Sequence, residues 1–586
     1  MWRGAMMRTL QLCRHQQFNN YTHMKKTILT LCALVALGAQ AQENKGVTLS
    51  GSIQSDMLVF PEDDAKIGTD YGTTKDFLTN TYAELHLQSK YLSAGARLEY
   101  MENPLPGFEK DFAGWGVPHM YLKGHFKDAE LTVGDFYDQF GSGLIFRTYE
   151  ERALGIDNSL RGARLTATPF KGVNLKLLAG QQREYWQDRW TDDHAPLVSG
   201  VDLEVNIDAF SRKMQEKNIY LMLGFSGVLK SEESEDLMTF VNGTPCRLNL
   251  PENVGAYDVR ANLQAGNYNF LAEYAWKSQD PSFDNGYIYR HGNTLLLSGS
   301  YSKKGFSALL QAKRTEDMSF RSKRSQTLTA RFINHLPAFS TQHTYALAAL
   351  YPYATQNALG EWAFQGEVGY NFKRKTLLGG KYGTKVKLNA SHIRGIDRKP
   401  LEGVTDVMGT EGYTTSFFKM GNETYYQDIN VQVDKKLTKD FKLNLMYMNQ
   451  RYNQFVIEGH GETFTSNIFI AEGKWNISKK VALRGEAQYL TTSGDQGDWA
   501  YGLLELSVLP GFMFTVSDMY NANVPNADGT GTSAQHYYNL GGCYTYKAHR
   551  LQIAYGKTRA GFNCSGGVCR YVPASKGFTV SYNFNF

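Results

Sequence analysis

Gly577-Phe578-Thr579-Val580-Ser581-Tyr582-Asn583-Phe584-Asn585-Phe586 closes the chain on a strict alternation. Phe578, Val580, Tyr582, Phe584 and Phe586 occupy one parity, and Thr579, Ser581, Asn583 and Asn585 the other. Side chains along a β-strand point to opposite faces in turn, so the segment has one aromatic face and one polar face. In water the aromatic face needs a second layer to cover it. In a bilayer it can face lipid while the polar face lines a lumen.

The rest of the chain decides between these. Tyr257, Val259, Ala261 and Leu263 alternate with Asp258, Arg260, Asn262 and Gln264; Val386 and Leu388 alternate with Lys385, Lys387 and Asn389; Val481, Leu483 and Ala487 alternate with Arg484, Glu486 and Gln488. The polar parities carry full charges: Arg97 and Glu99, Arg164, Arg260, Lys385 and Lys387, Arg484 and Glu486. The core of a soluble sandwich would not tolerate these, whereas a hydrated lumen would, and they are the expected lumen lining. Tyr (36), Phe (33) and Gly (56) are plentiful against Pro (15). Mean hydropathy is −0.41, which alternating strands produce as readily as a soluble protein does.

Connections alternate as well. Short turns fall near Ser89-Lys90, Lys127-Asp128, Pro169 to Gly172, Ala265-Gly266, Lys303-Lys304, Thr438-Lys439, Ser478-Lys479, Pro510-Gly511 and Ala548. Long polar stretches lie between them at 60–77, 103–116, 139–159, 183–197, 230–253, 279–291, 395–421, 521–534 and 562–574. This order predicts an all-β, antiparallel up-and-down transmembrane barrel of about 26 strands (roughly 22 to 28), with periplasmic termini. Residues 42–586 read as one domain. The terminal strand itself resembles the C-terminal signal that outer-membrane barrels present to their assembly machinery, which makes Phe586 the contact expected with it.

Met24-Lys25-Lys26 is a basic start, Thr27 to Gly38 an apolar run, and Ala39-Gln40-Ala41 a small-x-small junction. Together they read as a secretory leader over 24–41, cleaved between Ala41 and Gln42, with residues 1–23 an upstream extension. Arg3, Arg8, Arg14, Lys25 and Lys26 account for the whole formal charge of +5, so the mature chain is neutral. No argument for nucleic acid survives that. The expected location is a Gram-negative outer membrane, in contact with lipid and lipopolysaccharide. The first alternating strand starts soon after Gln42, which leaves no room for an N-terminal plug or energy-coupling segment and argues against TonB-dependent transport.

The densest candidate for function is Val133 to Asn158. Gly141 and Gly143 permit a sharp departure from a strand, and Arg147, Glu150, Glu151, Arg152 and Asp157 follow. A constriction loop folded into the barrel, built on Gln139, Phe140, Gly141, Gly143, Arg147, Glu150, Arg152 and Asp157, is one reading; a surface loop or wall brace is the other. Near the end, Cys564 and Cys569 flank Gly566-Gly567, and in an oxidising compartment they are expected to form a small disulfide. Metal binding is the rival reading there, and Cys246 and Cys543 have no partner by spacing. Tyr100, Tyr121, Tyr220, Tyr274, Trp276, Trp475 and Tyr489 fit interfacial girdles, with a sugar-stacking track as the alternative. No Gly-x-Ser-x-Gly, His-Glu-x-x-His or Gly-x-x-x-x-Gly-Lys motif occurs. Glu84 with His86 is a conceivable acid/base pair, but lumen lining is the favoured reading; no enzyme, metal or cofactor is expected.

Gln139-Phe140-Gly141-Ser142-Gly143-Leu144, Leu154-Gly155-Ile156-Asp157-Asn158 and Cys564 to Pro573 together resemble an uncharacterised Bacteroidota outer-membrane barrel family known only as a domain of unknown function. The resemblance spans the mature chain and implies an outer-membrane location without a substrate. The expected function is a porin-like channel for passive or substrate-selective diffusion of small polar solutes. The alternative is a non-conducting barrel whose long surface loops bind a partner, and a lumenal enzyme is a third reading.

Overall fold

The computed structural model describes residues 46–72, 77–186, 194–241 and 244–586. The expected extension, leader and Ala41/Gln42 junction lie outside the described residues. From Val47–Val59 to Ser575–Asn585, 24 strands form one sheet, a number inside the expected range. Every strand is antiparallel to its successor, and the last pairs with the first, from Ser52 opposite Asn585 to Val59 opposite Phe578. The sheet is therefore a closed barrel. Closure is what lipid demands, because an open edge would leave backbone N–H and C=O groups without water to satisfy them.

Burial is inverted relative to a soluble protein. In the strand Asn253–Ala265, Tyr257 and Val259 are each 51% exposed while Asp258 and Arg260 are 2% and 4% exposed. The outward parity is thus apolar, and the inward parity carries the charge. Aromatic rings cluster at the barrel rims, as with Tyr268 against Tyr301 (4.7 Å between centroids) and Phe512 against Tyr544 (4.4 Å).

The seam is locked from both sides. Phe586 N–H donates to Gly51 O and Gly51 N–H to Phe586 O, both at 3.0 Å. On the outer face Ile53, Ala83 and Phe584 form a buried cluster flanked by Leu98, Tyr582 and Phe586. Gly51 is required there by space: a Cβ would lie 2.5 Å from the Phe586 ring and 2.6 Å from Glu84 O.

All the short turns expected from the sequence lie at one rim, with two longer ones at 207–218 and 373–383, the first carrying a helical turn at Arg212–Glu216. The long connections share the other rim. The longest of them, 317–360, between Phe306–Glu316 and Glu361–Phe372, was not among those expected. Its apolar residues follow neither a period of 2 nor one of 3.6, because they pack on several sides at once rather than on one face.

Candidate functional site

Strap 317–360 folds into the barrel. It leaves the long-loop rim after Glu316 and returns to that rim at Glu361. Tyr345 marks how deep it goes. Its hydroxyl donates to Asn444 Oδ1 (3.1 Å) and Glu472 Oε2 (3.2 Å), which face each other near the short-turn end of their strands. Phe320, Ile333, Leu336, Phe339, Leu347 and Leu350 of the strap are nearly inaccessible to solvent. They join one continuous core with Val198, Val228 and Val254 on one stretch of wall and Met446, Met448, Ile468 and Leu490 on another. Each such side chain contributes about 1.5–3 kcal/mol by leaving water. The strap is therefore a folded part of the molecule that occupies the lumen from wall to wall.

Polar groups fix its register. Arg321 pairs with Asp284 (2.7 Å), Arg324 with Glu232 (3.1 Å), Arg331 with Glu184 and His343 with Asp428 (2.6 Å). Leu347 N–H donates to the Gln488 side chain at 2.8 Å, and Gln182 Nε2 to Phe332 O at 2.7 Å. His335, close to the centre, has its pKa lowered to about 3, first by burial and then by Arg147 and Lys313.

The segment singled out in the sequence is folded inward beside the strap. Phe140, Leu144, Ile145 and Phe146 are buried in the same core. Arg147 N–H donates to Ile333 O (2.8 Å) and His335 N–H to Gly143 O (2.9 Å). Gly141 has φ +50°, and a Cβ there would meet Glu273 Oε1 at 2.5 Å. Only glycine lets the backbone come this close, and Ser142 N–H uses the approach to donate to Glu273 Oε1 at 3.0 Å. Gln139 bridges Arg147 across the loop base, and its carbonyl accepts from Lys176 Nζ at 2.9 Å.

Beyond that turn the segment joins a buried charge network. Arg97 reaches Glu99 (2.7 Å), Glu150 (2.9 Å) and Asp157. Arg183 takes Glu99 from the other side at 2.8 Å and also holds Asp157, whose other oxygen accepts from Tyr137 at 2.9 Å. Burial pushes the Asp157 carboxyl up, but Arg183 and Arg97 outweigh it and hold it well below the usual carboxylate range. Arg152 ties Glu150 (2.8 Å) to Glu84 and to Gln54 (2.9 Å) on the wall. The structure thus joins Glu150, Arg152 and Asp157 of the expected constriction set to Arg97 and Glu99 of the expected lining. These charges are paired, with Arg97, Glu99 and Asp157 buried and Glu150 and Arg152 half-buried, where the sequence reading had them facing lumenal water.

The remaining lining residues lie elsewhere around the wall. Arg164 contacts Asp138 (3.2 Å); Arg260 is enclosed by Asp202, Glu204 (2.9 Å) and Asp258 (3.0 Å); Lys387 pairs with Glu367 (2.7 Å). Arg484 sits among Glu472 (3.0 Å), Glu486 and Glu505, and Lys385 is exposed near the short-turn rim. Glu84 is 3.6 Å from His86, and Arg152 also engages its carboxylate.

Cys564 and Cys569 are disulfide-bonded within the hairpin Gly561–Ser565 and Val568–Val572. Cys246 and Cys543 are free. The hairpin rests on the strap: Thr355 N–H donates to Gly567 O at 2.9 Å, and Ala338 N–H to Gly566 O at 3.4 Å. Gly567 has φ +89°, and a Cβ there would lie 2.8 Å from Ala338 Cβ.

Sequence reasoning missed the strap and the residues it engages, Glu232 and Asp284 in the long loops and Asp428 and Gln488 on the wall. One signal was available: 317–360 is the longest stretch without alternation, yet it holds Met318, Phe320, Ile333, Leu336, Phe339, Leu347 and Leu350. A surface loop has no use for so many apolar residues.

These features define a large transmembrane β-barrel whose lumen is filled by its own connections. The chain belongs to a family of unknown function, DUF6029, matched over residues 24–586. No curated protein matches it. Among solved structures it is similar to the siderophore receptor PirA of Pseudomonas aeruginosa (9% identity, TM-score 0.38, 92% of this chain and 80% of that one). A mutant of the ferric enterobactin receptor PfeA from the same organism gives 10% identity and TM-score 0.41 over 92% and 80% of the chains. OccAB3 of Acinetobacter baumannii gives 10% and 0.32 over 92% and 99%.

Proposed function

We propose that the protein is a channel of the Gram-negative outer membrane for small polar solutes, closed by strap 317–360, and that solute passes when the strap is displaced. The short-turn rim faces the periplasm and the long loops face the exterior, as in other barrels of this architecture. The outward strand ending at Phe586 is then the element read by the barrel assembly machinery, and the upper apolar belt is in contact with lipopolysaccharide. In this reading no residue has a catalytic role.

The observation that carries it is the continuous core between strap and wall, which reaches the depth of Tyr345. Barrels of 16 to 18 strands already leave an aqueous channel, so a barrel of 24 conducts unless something fills it. Here the filling is part of the same chain and is fixed at both ends to adjacent strands. That arrangement suits a gate better than a permanently open pore.

The test is planar-bilayer conductance of the whole protein and of a variant in which residues 320–356 are replaced by a short Gly/Ser linker. The expected result is little steady conductance from the parent and large stepwise conductance from the variant. Large steady conductance of the parent would refute closure by the strap. A folded variant that stays sealed would refute the channel and favour a surface protein that binds through its loops.

A further inference from the structure

At the short-turn rim the strap leaves a cavity of about 1200 Å³ open. Three adjacent strands contribute Lys436, Lys442 and Lys474 to its lining, and the row continues to Arg484 on the next strand. Lys436 stands directly opposite Lys442, Lys442 opposite Lys474, and Lys474 opposite Arg484. These residues share the parity of Asn444, Glu472 and Glu486, the lumen side. Directly opposed side chains on one face of a sheet have Cβ atoms only about 4.5–5.5 Å apart, and like charges so placed repel. Arg484 is neutralised by its ring of glutamates. Among the described residues, none of Lys436, Lys442 and Lys474 has an ion pair; Lys436 only lies 5.6 Å from the Tyr382 ring. Two carboxylates share the cavity: Glu472 is engaged by Tyr345 and Arg484, and Asp434 accepts from Asn444, leaving the lysines in excess.

A row of opposed, unpaired lysines destabilises its stretch of sheet, and a bound anion would relieve the repulsion. We propose that Lys436, Lys442 and Lys474 form a capture site for multivalent oxyanions, the phosphate- or polycarboxylate-bearing class of small solute, at the periplasmic mouth of the lumen. Lysine suits capture with release, since its ammonium is a compact, strongly hydrated charge that does not lock an oxyanion into a bidentate grip. Basic rings of this kind select anions in pores, and a cleft lined by one sign of charge raises the local concentration of its counter-ion. Assigning this class as the transported solute rests on the channel reading; the binding site does not.

Inorganic pyrophosphate serves as the probe, titrated calorimetrically into the detergent-solubilised full chain. The parent should bind it, more weakly as salt rises and screening grows. Combining Lys436→Gln, Lys442→Gln and Lys474→Gln should weaken binding by about tenfold or more, while the matching Lys→Arg triple retains it. Because the Gln triple relieves repulsion, its melting temperature should be no lower than the parent's, which separates loss of the site from loss of the fold. Undetectable binding by the parent, or equal binding by parent and Gln triple, would overturn the site. Conductance plays no part in this measurement, so the capture site and the gate can fail independently.

Discussion

Arg183→Met would remove the guanidinium that holds Glu99 and Asp157 from the side opposite Arg97. In the parent, Arg97, Arg152 and Arg183 face three carboxylates, Glu99, Glu150 and Asp157, and the Arg183, Glu99 and Asp157 side chains are 4%, 1% and 8% exposed. With Arg183 gone, Arg97 alone must neutralise Glu99 and Asp157, both almost out of contact with water, while Arg152 still holds Glu150. Breaking a buried pair by deleting one partner costs about 3–5 kcal/mol, mostly through the charge left behind. Arg183 also lies 5.5 Å from the Trp186 ring, so the loss can be followed by tryptophan fluorescence during urea unfolding of the vesicle-inserted protein. Asp157→Asn in the Arg183→Met background should recover part of the loss, because it deletes the stranded charge. A double-mutant cycle should therefore show coupling of about 1–3 kcal/mol. Loss below about 1 kcal/mol with no coupling would mean that water reaches this network, and the account of a dry, charge-braced loop would be wrong.

At the seam, Gly51→Ala places a methyl against the Phe586 ring and Glu84 O, and overpacking of this kind costs about 1–3 kcal/mol. The heat-modifiable band on gels should convert at lower temperature than the parent's; an unchanged transition would show that the seam tolerates the group. For His335, the folded pKa of about 3 lies below the unfolded value of 6.5. The unfolded chain therefore takes up the proton first, and this contribution to stability is full above about 6.5 and declines down to about 3. At about 1.36 kcal/mol per pH unit the loss by pH 5 is at most about 2 kcal/mol. His335→Gln should flatten that part of the urea-midpoint profile, and an identical slope in both proteins would place the effect elsewhere.

The barrel was legible because lipid enforces a rule that sequence displays directly. Tyr257 and Val259 must face out and Asp258 and Arg260 in, and the period of 2 shows it without knowledge of any neighbour. Turns such as Ala265-Gly266 and Lys303-Lys304 were readable for the same local reason. The inward fold of Gln139 to Asp157 was half legible: Gly141 and Gly143 signalled a departure from the strand, but its direction depends on Glu273 and Ile333, far away in the chain. The strap was hidden for a stronger version of that reason. Phe320, Ile333 and Leu347 are buried in a core whose other members come from strands far away in the chain, so no local repeat records their environment. The lysine row was half visible too: Lys436 and Lys442 are close in sequence, but Lys474 joins them only through strand register.

Strap 317–360 is anchored to neighbouring strands at both ends. Mechanically it is a drawstring and not a cork. Its chain of about 44 residues, doubled back on itself at about 3.3 Å per residue, could reach some 70 Å from its anchors, more than twice the roughly 30 Å of hydrocarbon it would have to clear. Drawn out through the rim at which it is tied it would clear the lumen entirely, whereas drawn toward the opposite rim it would leave both of its arms inside the barrel.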